Sequence, residues 1–271
     1  MEQEEIRREI CDLLAILDEE DYPETYRLLG ELSEQEVLPE PYEVATGLCR
    51  CDETAPMEQV EFDFLVELYE SEIERGNADA MNDLGVLYYD GRGCEQDFTK
   101  AVHFYEMAAG KGHVKARENL GYCYYYGRNM PVDYEKAYHC FALGALSGEL
   151  ISLYKVGDMY AKGLYVKKDP LTAYRIYSHC LDRMTDEAAP YVAGPLYLRL
   201  GNAFLKGEGT PADAQAAMCC FQRAEIFLYD MVKRGDEMYR NSLCSAIEGQ
   251  TAARAAMTAE LPGMVWLDGK E

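Results

Sequence analysis

Gly85, Gly121 and Gly157 stand 36 residues apart, and each precedes a tyrosine by three positions: Tyr88, Tyr124 and Tyr160. The residue before each glycine is apolar (Leu84, Leu120, Val156). Gly91, Gly127 and Gly163 keep the same step, as do Asp97, Asp133 and Asp169, and Ala101, Ala137 and Ala173. A fourth copy carries Leu200, Gly201, Phe204, Gly207, Asp213 and Ala217 and comes 44 residues after the third, so eight extra residues precede it. Self-similarity at such a period means that one supersecondary unit is stacked on copies of itself. A chain built this way buries its core between neighbouring units rather than around one centre.

The residues of one copy describe a helical hairpin. Ala80, Leu84, Leu87 and Tyr88 fall on one face of a first helix. Gly85 lies inside that helix, where glycine costs about 1 kcal/mol against alanine. Repeated acceptance of that cost predicts a neighbouring helix too close for a side chain. Gly91 is expected to end the helix as a left-handed cap, and Asp97 to cap a second helix bearing Phe98, Ala101, Phe104, Tyr105 and Ala108. In the third copy Pro170 follows the capping Asp169, a favoured first helical position. Asn129 stands at the second loop glycine of the second copy and is tolerable there. Tyr165 occupies the same place in the third, which predicts a different loop.

The consensus A-x3-L-G-x2-Y-x2-G-x-G-x3-D-x2-K-A-x2-F-Y-x2-A-A-x2-G resembles the Sel1-like repeat, a relative of the tetratricopeptide repeat. The first full copy keeps nearly every position, from Ala80, Leu84 and Gly85 through Gly91, Gly93, Lys100, Ala101, Ala108 and Ala109 to Gly112. The resemblance implies an all-α fold, a right-handed α/α superhelix or solenoid, in a family that mostly forms protein-interaction scaffolds. A secreted, cysteine-rich branch of that family pairs cysteines eight residues apart. The matching positions here are Ala109 and Arg117, which disfavours that branch and the penicillin-related activities associated with it.

Around the array the chain is less regular. Residues 1–43 read as acidic capping helices, with Ile6, Ile10, Leu13, Leu14 and Leu17 along one stripe. Residues 44–79 read as a degenerate repeat, because Leu48 stands 36 residues before Leu84, and Leu68 and Tyr69 stand 36 before Phe104 and Tyr105. Sel1-like copies are expected at 80–115, 116–151, 152–195 with the insert, and 196–235. Residues 236–271 then form a closing helix and a tail with the only tryptophan, Trp266. The insert, 182–195, carries two prolines and predicts a longer loop, the alternative being that Thr185 to Ala189 extend the helix by a turn. The fourth copy lacks its closing glycine until Gly235, which predicts a second helix about two turns longer.

Charge and cysteine usage narrow the function. The net charge is −23, and residues 1–79 alone hold 25 acidic against 5 basic groups. Such a field repels nucleic acid and anionic lipid, although a basic partner suits the acidic N-terminal region. No apolar run has membrane-spanning length, so no membrane insertion is expected. The acidic N-terminus does not resemble a secretory signal, which points to a cytoplasmic protein with its ten cysteines reduced.

Catalytic signals are poor, and no catalytic residue, metal or cofactor is assigned. The four histidines (His103, His113, His139, His179) lack ligand spacing, although His103 and His139 share one repeat position. Binding signals are better. The first helices should line the concave face, where positions counted from the repeated glycine are expected to be free of packing. They give Asn82, Val86 and Tyr89 in the first copy and Glu118, Asn119, Tyr122, Tyr125 and Tyr126 in the second. The third gives Tyr154, Lys155, Asp158 and Lys162; the fourth gives Arg199, Asn202 and Lys206. The groove should therefore be tyrosine-rich at its centre and basic toward its C-terminal end, and tyrosine is common at binding hot spots. The expectation is a non-enzymatic adaptor for a protein or peptide. The alternative is a hydrolase or small-ligand-binding protein with a pocket near 182–195.

Overall fold

The computed structural model describes residues 1–17, 19–51, 57–185 and 189–260, with backbone alone at 189, 190 and 260. Residues 186–188 of the insert and the tail from 261, including Trp266, lie outside the described residues. The chain forms two compact units, Met1–Asp133 and Tyr134–Glu271. The first holds α1 (Gln3–Ile16), α2 (Pro23–Glu34), α3 (Pro41–Arg50), α4 (Gln59–Glu74), α5 (Ala78–Asp90), α6 (Phe98–Gly110) and α7 (Val114–Tyr126). The second holds α8 (Tyr134–Leu146), α9 (Leu150–Lys162), α10 (Pro170–Arg183), α11 (Ala189–Lys206) and α12 (Ala214–Lys233). A 3-10 turn (Glu237–Tyr239) and α13 (Arg240–Glu260) follow. The fold is all-α, and among the described residues no strand occurs and no helix is long and apolar enough to cross a membrane.

The hairpin loops follow from three repeated residue choices. Gly91, Gly127, Gly163 and Gly207 take φ of 69°, 68°, 72° and 67°, a region closed to most side chains. The next N–H in each loop (Arg92, Arg128, Leu164, Glu208) then donates to the carbonyl five residues back, which satisfies orphan groups at the helix end. Further on, the Asp97, Asp133, Asp169 and Asp213 N–H groups return to the carbonyls of Tyr88, Tyr124, Tyr160 and Phe204. The Asp97, Asp169 and Asp213 side chains accept N–H groups in the first turn of the second helix.

The third loop does not differ as its sequence predicts. Tyr165 takes φ 63°, the same left-handed conformation as Asn129 at 62° and Gly93 at 77°. Its strain is offset by its ring, which packs 5.5 Å from Tyr138 and 5.8 Å from His139. Its hydroxyl also donates to Glu135 Oε1 at 3.2 Å.

The repeated glycine sets the distance between the two helices of a hairpin. A Cβ on Gly85 would lie 2.8 Å from Tyr105 Cε1; on Gly157, 2.6 Å from Tyr177; on Gly201, 2.7 Å from Phe221. Each aromatic ring follows its glycine by 20 residues and is buried. The same register in α3 and α4 places Cys49 opposite Tyr69, with Sγ 3.3 Å from the hydroxyl. There the pair is held by a polar contact where the Gly85, Gly157 and Gly201 hairpins use ring-on-backbone packing.

At the N-terminus, α1 buries Ile6, Ile10 and Leu13 and packs against α2 and α4. Arg7 donates to the Gln35 and Glu36 carbonyls at the end of α2, at 2.5 and 2.7 Å. Gln3 and the Leu38 backbone exchange two hydrogen bonds of 3.1 and 2.8 Å.

In the second unit, the predicted long loop at 182–195 is mostly helix. α11 begins at Ala189, so Pro190 and Pro195 lie within it. The two sequence irregularities form one feature. The early turns of α11 pack on the late turns of α12: Ala193 shares a cluster with Leu228 and Met231, and a Cβ on Gly194 would come 2.8 Å from Leu228. This core holds the helix through a proline that would break it in isolation. α12 runs to 20 residues against 13 for α6, the two extra turns its sequence predicts.

Candidate functional site

The polar candidates do not stand free of packing. Asn82, Glu118, Lys155 and Asp158 are buried, as is Tyr154. Several join one copy to the copy before it. Two residues before the repeated glycine, Asp83 accepts from the Tyr42 hydroxyl at 2.9 Å, and Asn119 donates to Asn82 Oδ1 at 3.1 Å. At the same position of the fourth copy, Arg199 pairs with Asp158 of the third. A polar rung between adjacent first helices explains their burial, because a buried polar group without a partner costs roughly 1–3 kcal/mol. These residues hold the hairpins in register before they can contact anything else. Glu118 receives the Lys115 ammonium within its own helix.

The aromatic candidates are more accessible. Val86, Tyr89, Asn119, Tyr122 and Tyr125 are half-buried and Tyr126 is exposed. The Tyr122 and Tyr126 rings stack at 6.2 Å and 6° on the last turn of α7, and Tyr125 meets Tyr126 edge-on at 4.9 Å. Two residues not singled out from sequence extend this patch. The Arg128 guanidinium lies 4.9 Å over Phe98 and 6.0 Å from Tyr126, and Phe98 meets Tyr89 at 5.2 Å. Tyr89, Phe98, Arg128 and Tyr126 thus run from the first copy to the second. Their signal was positional: Phe98 follows the Asp97 cap and Arg128 follows the Gly127 cap.

In the second unit, Asp158, Arg199 and Asn202 come together at a cleft of about 410 Å³ between α9, α10 and α11. Tyr174, Tyr177, Lys162 and Lys206 also line it. Arg199 holds both Asp158 carboxylate oxygens, and its Nη1 donates to the Pro195 carbonyl at 2.8 Å. Its guanidinium lies 4.7 Å over Tyr154. Tyr177, which sequence did not mark as functional, donates to Asp158 Oδ1 at 2.8 Å. Burial alone would raise the Asp158 carboxyl, but the Arg199 charge and hydrogen bonds hold it below the ordinary value.

The remaining candidates are structural. His113 caps α7, its Nδ1 accepting from the Ala116 N–H at 2.9 Å while Nε2 meets Asp79 Oδ1 at 2.9 Å. His139 packs beside Tyr138 and Tyr165. Arg92 donates to the Cys49 carbonyl at 2.6 Å, at the end of α3. Of the 182–195 insert, Val192 and Ala193 are buried in helix packing.

Paired helices closed by left-handed glycines, with polar rungs between neighbouring first helices inside each unit, define a helical-repeat protein of the solenoid class. The family model described as Sel1 repeat matches residues 78–113, 114–149, 150–178 and 196–225, and the chain belongs to the Sel1-like repeat family. Its structure is similar to that of a Sel1 repeat protein from Oxalobacter formigenes, at 25% identity and a TM-score of 0.54, covering 67% of this chain and 75% of that one. It is also similar to a protective antigen present in uropathogenic Escherichia coli strains that displays an SLR fold. That match has 16% identity and a TM-score of 0.53, and covers 96% of this chain and 57% of the antigen. No curated protein matches.

Proposed function

We propose that this chain is a non-enzymatic scaffold whose first-helix face captures a protein or peptide partner. The observation that carries this is the tyrosine cluster on α7, where Tyr122, Tyr125 and Tyr126 present stacked and edge-on rings and Tyr126 is half exposed. Tyrosine offers large contact area at low conformational cost, and arginine beside it, here Arg128, is the other common anchor residue. The polar rungs keep adjacent first helices rigid, which lowers the ordering cost of binding across them. The residues proposed to meet the partner are Val86, Tyr89, Asn119, Tyr122, Tyr125 and Tyr126 in the first unit, with Arg199 and Asn202 in the second. Asn82, Glu118, Tyr154, Lys155 and Asp158 support them from beneath. The division into an acidic cap (1–43), a degenerate repeat (44–79), an array (80–235) and a closing segment (236–271) belongs to the same proposal, as does a cytoplasmic setting.

The test is affinity capture from native lysate with wild type and with Tyr122→Ala/Tyr125→Ala/Tyr126→Ala, after both show equal helicity and melting. A partner held by wild type and lost by the variant supports the reading. An unchanged set of captured proteins overturns it for this face.

A further inference from the structure

We propose that the cleft between α4 and the loop joining α5 to α6 takes an arginine side chain of a basic peptide segment, an inference that rests on the scaffold function and names the partner's chemistry at a second site. The cleft encloses about 710 Å³ within the first unit, over an apolar floor of Phe62, Val66 and Tyr88. Acids stand on both walls: Asp63 and Glu67 on α4, Glu95 and Asp97 on the loop that leads into α6. Among the described residues of the lining, Lys100 alone is basic. Two of the acids are served by neutral donors, which orient a carboxylate without cancelling its charge. Gln59 donates to Asp63 at 2.8 Å, and the Thr99 and Lys100 N–H groups donate to Asp97 at 2.9 and 3.0 Å. Four carboxylates thus share a cleft with one ammonium.

The floor already holds a cation. Lys100 Nζ lies 4.5 Å from the centroid of the Tyr88 ring, which meets Phe62 edge-on at 5.7 Å. A ring face attracts positive charge, and Lys100 is exposed on a flexible stem, so a better-fitting cation can take its place. A guanidinium is flat, less hydrated than an ammonium and carries five donors, so it can lie on the ring while reaching acids on both walls. A metal ion instead needs its ligands to converge on one point, and among the described residues no group of three or more acids, histidines and cysteines does so. A volume of about 710 Å³ suits a side chain and its neighbours rather than a folded surface. Fields at physiological ionic strength decay within about 8 Å, so the lining charges select the ligand, not the chain total of −23.

The experiment measures fluorescence anisotropy of a labelled hexapeptide, two arginines flanked by glycines, against the full chain. The same peptide with citrulline or lysine in place of arginine is measured beside it. The variants are Glu67→Gln/Glu95→Gln in the cleft, Glu34→Gln/Glu36→Gln outside it, Lys100→Gln and Tyr126→Ala. All four glutamates are exposed, so both double variants should fold and melt as wild type does. The arginine peptide should bind wild type, and the citrulline peptide should bind at least about tenfold more weakly, a difference of about 1.4 kcal/mol. The cleft double variant should lose a similar factor, and Lys100→Gln should bind severalfold more tightly because the ring is vacated. Glu34→Gln/Glu36→Gln and Tyr126→Ala should bind as wild type. Failure of the arginine peptide to bind overturns this site and leaves the tyrosine patch standing. Equal losses in the two glutamate double variants would reduce binding to net charge and also overturn it. Equal binding by the lysine peptide would overturn the guanidinium assignment, and a loss in Tyr126→Ala would move the peptide to the patch.

Discussion

Phe221 lies between two glycines: a Cβ on Gly201 of α11 would come 2.7 Å from its Cε1, and one on Gly249 of α13 would come 2.6 Å. The closing helix thus repeats, against the same ring atoms, the glycine-on-ring packing seen at Gly85 and Gly157. Overpacking a filled core costs about 1–3 kcal/mol. Gly201→Ala and Gly249→Ala should each destabilise the chain by that amount in urea unfolding. In a Phe221→Leu background the cost of either alanine should fall, because the clashing ring atoms are gone.

Asp158 should make stability depend on pH at its acid end. Its folded carboxyl sits below the ordinary value, so the contribution is present above the unfolded value of about 3.9 and is lost as pH falls through the lower folded one. Asp158→Asn leaves Arg199 without its charge partner, which costs about 3–5 kcal/mol for a buried pair. The gap between wild type and Asp158→Asn should be full at neutral pH and shrink below about pH 4, read by denaturant midpoints.

Position 165 should report backbone strain directly. Tyr165→Ala loses the contacts to Tyr138 and His139 and keeps φ 63°. Tyr165→Gly loses the same contacts and relaxes the strain. Glycine should therefore be about 1 kcal/mol more stable than alanine here. Equal melting temperatures would remove the strain account.

His113 should behave as a cap. His113→Ala should cost about 1 kcal/mol, and His113→Asn should recover most of it, because Asn77 caps α5 in the same register. Thermal melts of the three proteins check this.

Thiol reactivity should follow burial. Burial pushes the Cys180 thiol up to about 12 and the Cys220 thiol up to about 11. At about pH 9 only about a thousandth of Cys180 is thiolate. Alkylation read by mass spectrometry should modify exposed Cys11, Cys219 and Cys244 first and reach Cys180 only on unfolding.

Hairpin order, helix spacing and loop closure, the third loop at Tyr165 excepted, were legible because each depends on residues within a single copy. Gly91 must be left-handed, Asp97 must cap, and Gly85 must admit a ring. The use of Asn119 and Arg199 was not legible in the same way. Their partners, Asn82 and Asp158, belong to the preceding copy, and contact across copies depends on how one hairpin is offset from the next. The outward positions were therefore expected to be free when several of them are rungs. The insert was misjudged for a different reason. Pro190 suits the first turn of a helix, but Pro195 breaks an isolated one, and the core formed by Ala193, Leu228 and Met231 outweighs that tendency.

The concentration of negative charge in residues 1–79 has a consequence for crowding. Any stack of like units ends in a surface shaped to receive another unit, so two molecules meeting end to end could in principle continue one into a filament. In the first unit, α1 has its apolar stripe covered by α2 and α4, and its first turn bears Glu4 and Glu5. With a screening length of about 8 Å, the repulsion is not a beacon that acts at a distance. It acts at touching range, where Glu4 and Glu5 of one molecule would oppose any acidic surface that approached α1.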